Sequence, residues 1–464
     1  MIDYVFSGGF WTTTLVAYRL LLIIYNIALH PLAKIPGPLA WSATRLPFHY
    51  ALIKGSIIHD IQFLHEKYGP VLRIAPNEVT FAHPDAYTAI LQHRSGLPQF
   101  LKDPVWWAQM PGHPPHLLSA IDPGKHAQIR RVLTLAFTPK ALRAHEPYIQ
   151  KYVNLLVQRL RELHSRYHYW ISFLFEGVKA ASFVMSTRYY PLLDFALMKC
   201  IPPSLRKIHE DHFQQVVDKV QRRLSWELQR PDVKSYVLDE DGNPKLPADE
   251  LCANFMVLTT AGSETSATAL TGTLNYLVQN SEYLLQLESE VRSAFASLDD
   301  ITLDAVRDLP FLNAVLHEGL RLCPPLPWVL PRLVPEGGQE VCGAWLPGGT
   351  PVSIQPYTIN RSPKFFHNPT TFAPQRWLKS ATSDPSSPFY NDRRAAMKPF
   401  SVGPRACLGQ DLAWAELWLI LAKLVWNFEF GVVHGEEVKW EELRTFLLVE
   451  RRAVNVQISL REGA

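Results

Sequence analysis

The stretch Phe400-Ser401-Val402-Gly403-Pro404-Arg405-Ala406-Cys407-Leu408-Gly409 presents one cysteine in a glycine-bounded turn, just before a helix-forming run from Leu408 to Phe428. Most lone cysteines are small buried hydrophobes. Here two glycines permit tight backbone geometry, the N-terminus of the following helix stabilises negative charge, and Arg405 adds a cation close by. These surroundings predict an ionised thiolate, the form in which cysteine ligates a metal. The other cysteines, Cys200, Cys252, Cys323 and Cys342, are widely spread and form no C-x-x-C pair, a pattern that suits a reducing compartment.

Three segments upstream add to the turn. Ala261-Gly262-Ser263-Glu264-Thr265 lies midway along a long helical pattern from Ala248 to Asn280. Glu318-Gly319-Leu320-Arg321 puts an acid and a base on one helical face at i and i+3. Phe372-Ala373-Pro374-Gln375-Arg376-Trp377 supplies another arginine. Together with F-x-x-G-x-R-x-C-x-G at Phe400 to Gly409, in which every defining position is filled, these segments resemble the signatures of the cytochrome P-450 family and stand at the expected distances from one another. The resemblance covers most of the chain. With Asn360-Arg361-Ser362-Pro363 and the proline-rich region near His30, it extends to fungal members acting in secondary metabolism.

The resemblance implies a mainly α fold with a small β region, the cytochrome P-450 fold. One haem b (iron-protoporphyrin IX) would lie between the Cys407 loop and the Ala261 to Thr265 helix, with Cys407 as axial ligand and Phe400 packed near the sulfur. Electrons would come from NADPH through a separate NADPH-cytochrome P-450 reductase, and dioxygen would supply the atom that hydroxylates or epoxidises a lipophilic small molecule. Gly262 would let the central helix approach the haem face, and Thr265 would bond back to a carbonyl and open a groove there. Glu264 and Thr265 are expected to act as an acid-alcohol pair that delivers protons for O–O cleavage, while the thiolate pushes electron density from the other side. His126, Arg130, Arg332 and Arg405 are the implied partners of the haem carboxylates, positions that spacing alone does not group; many members carry tryptophan where His126 stands. Glu318, Arg321 and Arg376 would form a buried structural network.

The 464 residues contain 47% hydrophobic side chains and no Gly/Ser-rich linker after the first forty, which predicts one large folded domain. Forty-six Lys plus Arg against forty-three Asp plus Glu, with no basic run or finger spacing, argue against nucleic acid as a partner. Phe10 to Leu29 is apolar and twenty residues long, enough at ~1.5 Å per residue to cross about 30 Å of hydrocarbon, although Arg19 and Asn26 weaken it. The reading is a membrane anchor over 1–30, a stiff proline hinge over 31–47 and a catalytic domain over 48–464. Lys34 and Arg45 follow the span and only Asp3 precedes it, so the catalytic domain faces the cytosol; the implied compartment is the endoplasmic reticulum membrane.

Val71 to Phe81 reads as edge strands, and Ala127 to Leu163 as helix punctuated by Pro139 and Pro147. Further helices are expected over Ser281 to Leu298 and Leu303 to Cys323. Between Arg166 and Arg188 the chain is short. Related members carry a Phe-Asp and then a Gly-Asp-Leu run between the equivalents of Tyr167 and Trp170, and this chain passes directly on to Ile171. Roughly thirty residues are therefore expected to be missing, about two ordinary helices of packing surface. Two other readings stay open: a haem-thiolate isomerase or dehydratase, against which Glu264 and Thr265 speak, and a decayed haem-binding protein that consumes no NADPH.

Overall fold

The computed structural model of the chain describes residues 8–107, 113–162, 179–200, 207, 211, 214, 217–223 and 233–461. The elements that build the site are helices α1 (Gly8–Ile24), α2 (Pro123–Thr134), α3 (Pro139–Arg161), α4 (Ala248–Gln279), α5 (Ser281–Ala294), α6 (Pro310–Leu322) and α7 (Gln410–Asn427). One sheet is formed by β1 (Val71–Ala75), β2 (Glu78–Phe81), β3 (Leu101–Lys102), β4 (Val329–Leu333) and β5 (Pro351–Ile354), in the spatial order β1-β2-β5-β4-β3. The expected mainly helical fold with a small β region is what these elements make.

Prolines and caps set the helix starts. Asp122 caps α2 by accepting from Lys125 N at 2.6 Å, and Thr138 caps α3 by accepting from Ala141 N at 3.2 Å, each followed by proline at the first helical position. Pro147 lies inside α3 without ending it, so the expected punctuation holds at Pro139 only. The run from Leu303 to Cys323 divides into Leu303–Val306 and α6, because Leu309 is extended before Pro310. Helix α5 ends at Ala294, four residues before the predicted Leu298, where Phe295 turns extended.

The core lies where α4, α5, α6 and α7 meet, through Leu277, Leu287, Val315, Leu316, Leu419 and Val425, all at most 1% exposed. Helices α4 and α6 lie close, glycine against side chain. A Cβ on Gly319 would sit 2.0 Å from Thr273 Oγ1, so any larger residue there must displace the threonine. Strand β2 is interior, parallel to β5 and antiparallel to β1, and all four of its residues are buried. Only β1 is the edge strand expected from this stretch; the proline that suggested an edge, Pro76, sits in the turn between the two.

Phe10–Leu29 forms a continuous helical span with mean hydropathy 1.5 and almost no burial in the body. Its last five residues, Tyr25–Leu29, wind as a π-helix, and buried Asn26 donates Nδ2 to Ala43 O at 2.9 Å. Asn26, which weakens the reading as a lipid-facing span, instead docks the span's end on the body. The proline hinge is packed as well: Leu32 is 1% exposed, and Arg73 N donates to Pro36 O at 2.8 Å.

Candidate active site

Cys407 sits between Gly403 and the first turn of α7. Its N–H donates to Phe400 O at 2.9 Å, and Ala406 N donates to Gly403 O at 3.0 Å, so the loop closes on itself. Gly403 has φ +81°, and a Cβ there would stand 2.1 Å from Leu91 O, two reasons for glycine at once. Gly409 has φ −90°, and a Cβ there would meet only Phe137 at an ordinary 3.9 Å, so the expected second special glycine is conformationally ordinary. Phe400 packs with its ring 5.8 Å from Trp414. Cys407 is exposed; the surrounding protein opposes its thiolate, while the Gly409 N–H and Arg130 beside it both favour it. A bound metal deprotonates a coordinating thiol outright.

Beside this loop cations gather. Arg405 donates Nη1 to Ala120 O at 2.6 Å and Nη2 to Ile121 O at 2.8 Å. Arg130 donates Nη1 to Ala406 O at 2.8 Å and braces the cysteine loop from α2. Arg332, on β4 and 7% exposed, has a buried Nε without a partner. His126, 5% exposed, lies on α2 one turn before Arg130. Burial and then the neighbouring cations act on each: the His126 imidazole falls to about 3, with Arg405, Lys102, Arg130 and Arg332 all contributing, and Arg332 falls to about 9 with Arg405 contributing. Arg405 falls to about 10, partly offset by Asp122. The structure therefore brings together His126, Arg130, Arg332 and Arg405, which the sequence separates by up to 279 positions. It adds Lys102, which the sequence reading missed because no local pattern around it marks an anion site.

On α4, Gly262 meets nothing within 4 Å of an added Cβ, and Ala261 and Gly262 are exposed. This leaves an open strip along the middle of the helix. Thr265 Oγ1 donates to Ala261 O at 2.7 Å, the expected back-bond. The helix stays α-helical through this point, so the expected kink is not a break in its hydrogen-bonding. Glu264 is 4% exposed and ion-paired with Arg451. Neighbours on a helix point about 100° apart, and here Glu264 and Thr265 have different partners. The expected acid-alcohol pair is not assembled; Arg451, unmarked by any motif, is the residue the reading missed. Next along the helix, Ser266 Oγ donates to Glu416 Oε2 on α7 at 2.7 Å.

Below the loop, Glu318, Arg321 and Arg376 are each fully buried. Glu318 accepts from Arg321 Nη2 at 2.7 Å, Arg376 Nε at 3.0 Å, Ala373 N at 2.9 Å and Trp377 Nε1 at 2.8 Å. Burial pushes this carboxyl up, but the two arginines and the Ala373 N–H together hold it below its usual range. Asp392, which the motifs do not mark, completes the set through Arg376.

A cysteine on a closed loop, an open strip on α4 and an uncompensated buried cation cluster suit a flat, iron-bearing macrocycle with two carboxylates. The buried, unpartnered Arg332 Nε is the observation that tests this fit: it is a donor aimed where no protein acceptor stands.

A family profile described as Cytochrome P450 matches residues 36–187 and 175–456. Cytochrome P450 monooxygenase cpaH of Aspergillus oryzae is 38% identical over 470 residues, covering 93% of this chain and 90% of the relative. Averantin hydroxylase of Dothistroma septosporum is 37% identical, covering 90% of this chain and 83% of the relative. Cytochrome P450 monooxygenase stcF of Emericella nidulans is 34% identical, covering 95% and 99%. Since 93% of 464 residues is about 430, the 470 aligned positions with cpaH include roughly forty at which this chain has no residue.

Proposed function

The chain belongs to the cytochrome P450 family and is a haem-thiolate monooxygenase, and from that premise we propose that it hydroxylates or epoxidises a lipophilic scaffold as a tailoring step in fungal secondary metabolism. The observation that carries the chemistry is the family-matched loop presenting Cys407 beside the uncompensated cluster of Arg332 and Arg405. What carries the pathway is the set of relatives, one of them named for hydroxylating averantin. Bound haem supplies the oxygen activation itself, with electrons from NADPH.

The residues of this chain do the rest. Cys407 would hold the iron through its sulfur, on a loop braced by Arg130. Arg130, Arg332 and Arg405 would neutralise the two haem carboxylates, with charge-assisted hydrogen bonds replacing mutual repulsion, and His126 would bind them as a neutral hydrogen-bond donor. The open strip at Ala261 and Gly262 leaves room for small molecules against the haem face. The Thr265 hydroxyl, which donates to Ala261 O beside that strip, would offer its proton there, and Glu264, once released from Arg451 and protonated from solvent, would restore it.

The redox partner is a membrane-bound NADPH-cytochrome P450 reductase. Residues 1–30 anchor the chain, 31–47 form the hinge and 48–464 the catalytic domain, at the endoplasmic reticulum with the catalytic domain facing the cytosol. Reduced, carbon monoxide-bound protein should show the red-shifted band after which the family is named, the signature of haem held by a cysteine thiolate. Cys407→Ser should abolish it. Loss of the band with haem still bound supports the ligand; a wild-type band at the unshifted position, in fresh protein that turns over, overturns it.

A further inference from the structure

We propose that Trp414, Trp418 and Trp377, joined through His317, form a path by which oxidising equivalents leave the Cys407 site when no substrate consumes them, giving the chain a peroxidase activity towards one-electron donors at its surface. This rests on the haem-thiolate reading above. Cys407 N–H donates to Phe400 O at 2.9 Å, and the Phe400 ring lies 5.8 Å from that of Trp414 on α7, the helix that follows the cysteine. From Trp414 the contacts branch. Trp418 stacks on it at 5.3 Å with the planes 25° apart, and His317 of α6 lies 4.8 Å away. His317 in turn is 5.2 Å from Trp377. Every step falls within the ~4.5–7 Å at which aromatic rings pack against each other.

Packing alone does not ask for this arrangement. The core face of α7 is built from Ala415, Leu419 and Ala422, all fully buried, whereas Trp414 and Trp418, one turn apart, are half-buried, as are Trp377 and His317. Indole is among the side chains that give up an electron most readily, and an oxidised indole is a cation until its N–H proton is lost or shared. The neighbours suit that charge. Trp377 Nε1 donates to Glu318 Oε2 at 2.8 Å and Trp418 Nε1 to Asn313 Oδ1 at 2.9 Å, so each of these N–H groups faces an oxygen. His317 Nδ1 lies 2.8 Å from Asn313 O and therefore carries the proton, since a carbonyl only accepts. Burial, opposed by that hydrogen bond, holds the His317 imidazole below its usual range, so the ring between Trp414 and Trp377 is neutral and does not repel a positive indole. Hydrogen peroxide is what uncoupled turnover releases. Reacting at the haem, it takes two electrons and two protons and leaves as two waters. Without substrate the electrons come one at a time from Trp414, which is refilled from Trp418 or Trp377, and these from two molecules of a one-electron donor at the surface; the protons come from solvent.

The experiment treats the detergent-solubilised, haem-loaded full chain with a few equivalents of hydrogen peroxide, without substrate, and locates oxygenated tryptophan by peptide mass spectrometry. Trp418 and Trp377 should be oxygenated ahead of Trp345, which is 63% exposed but off the path, and ahead of Trp426, which lies on α7 with its Nε1 donating to Phe295 O at 3.1 Å. Oxidation by species free in solution would follow exposure and reach Trp345 first. Trp414→Phe keeps an aromatic ring in place but removes the oxidisable indole. Oxygenation of Trp418 and Trp377 should then fall severalfold and the haem absorbance bleach severalfold faster, because the equivalents stay where they arise; Trp426→Phe should change neither. Ferrocyanide, a one-electron donor too highly charged for an apolar pocket, should be oxidised by the wild type and spare Trp418, and Trp414→Phe should oxidise it severalfold more slowly. Oxygenation of Trp345 ahead of Trp418 and Trp377, or the same pattern and bleaching rate in Trp414→Phe as in the wild type, overturns the inference. If Trp414→Phe does not fold, the order of oxygenation in the wild type decides alone. Wild type that shows the red-shifted carbon monoxide band but not this order defeats only this inference; wild type without the band defeats the reading beneath it.

Discussion

Thr265 donates its hydroxyl to Ala261 O beside an open strip of helix, so removing it takes away a proton source and not a packing contact. Thr265→Ala should keep haem and substrate binding while NADPH oxidation yields more peroxide and less product. An unchanged ratio of product to NADPH counts against the relay. Glu264 calls for a different test, because its carboxylate pairs with Arg451 in the folded chain. Glu264→Gln and Arg451→Gln should each lower the thermal midpoint, and the double variant should be no worse than the poorer single one, since each removes the same pair. Only the variants lacking the carboxyl should release extra peroxide; equal peroxide from Arg451→Gln would assign the effect to the pair and not to proton supply. At this scale the sequence marks Cys407, Gly403 and Thr265 because each stands in a contiguous motif. Lys102 and Arg451 are invisible there: the first matters through its register with Arg332, the second through a contact 187 positions away.

Helix α6 is the element on which most of the site's rigidity converges. Its Glu318 is buried against two arginines and the Trp377 indole, and its Gly319 lies against Thr273 of α4. Glu318→Gln would leave Arg321 and Arg376 facing each other with half their counter-charge gone. Breaking a buried pair by removing one partner costs about 3–5 kcal/mol, and chemical denaturation should show a loss of this size. Gly319→Ala drives a methyl into the Thr273 hydroxyl, an overpacking of about 1–3 kcal/mol. Adding Thr273→Ala should recover part of it, because that change removes the atom at 2.0 Å and leaves the one at 3.0 Å. No recovery would place the strain elsewhere on α6. The Glu318/Arg321 spacing is legible as a motif, and its pairing with Arg376 follows from the family resemblance. The closeness of α4 and α6 is not legible, because a glycine in a helical pattern reads the same whether it faces solvent or another helix. The interior place of β2 is not legible for a related reason: local propensity says where prolines are awkward, not which strand lies next to which. The split at Pro310, by contrast, is a local effect of a proline the sequence carries.

For the whole molecule, the short stretch after α3 is the feature with the largest consequence. The region from Arg166 to Val178, including Tyr167, Trp170 and Phe175, lies outside the described residues. The sequence evidence stands independently of them: the family profile matches in two segments that overlap at 175–187, and cpaH has roughly forty residues for which this chain has no counterpart. Helix α3, which leads into this stretch, exposes Tyr152, Leu155 and Leu156 at 61%, 41% and 39%, apolar area of the kind that a further helix would cover. Burial contributes ~25 cal/mol per Å², and two helices would cover several hundred Å², so the effect should be several kcal/mol before the entropy of ordering the added residues is subtracted. We therefore expect that inserting the corresponding segment of cpaH between Tyr167 and Trp170 raises both haem occupancy and thermal midpoint, whether the difference arose by exon skipping, by an error in delimiting exons or by divergence. The comparison is between full chains with and without the segment, expressed side by side, with haem measured against protein. A gain in midpoint without a gain in occupancy would mean that the segment stabilises the helical bundle and leaves the haem site as it is. Equal midpoints and equal occupancies would mean that the shortened chain has repacked, and a decayed, non-catalytic protein would then lose its main support.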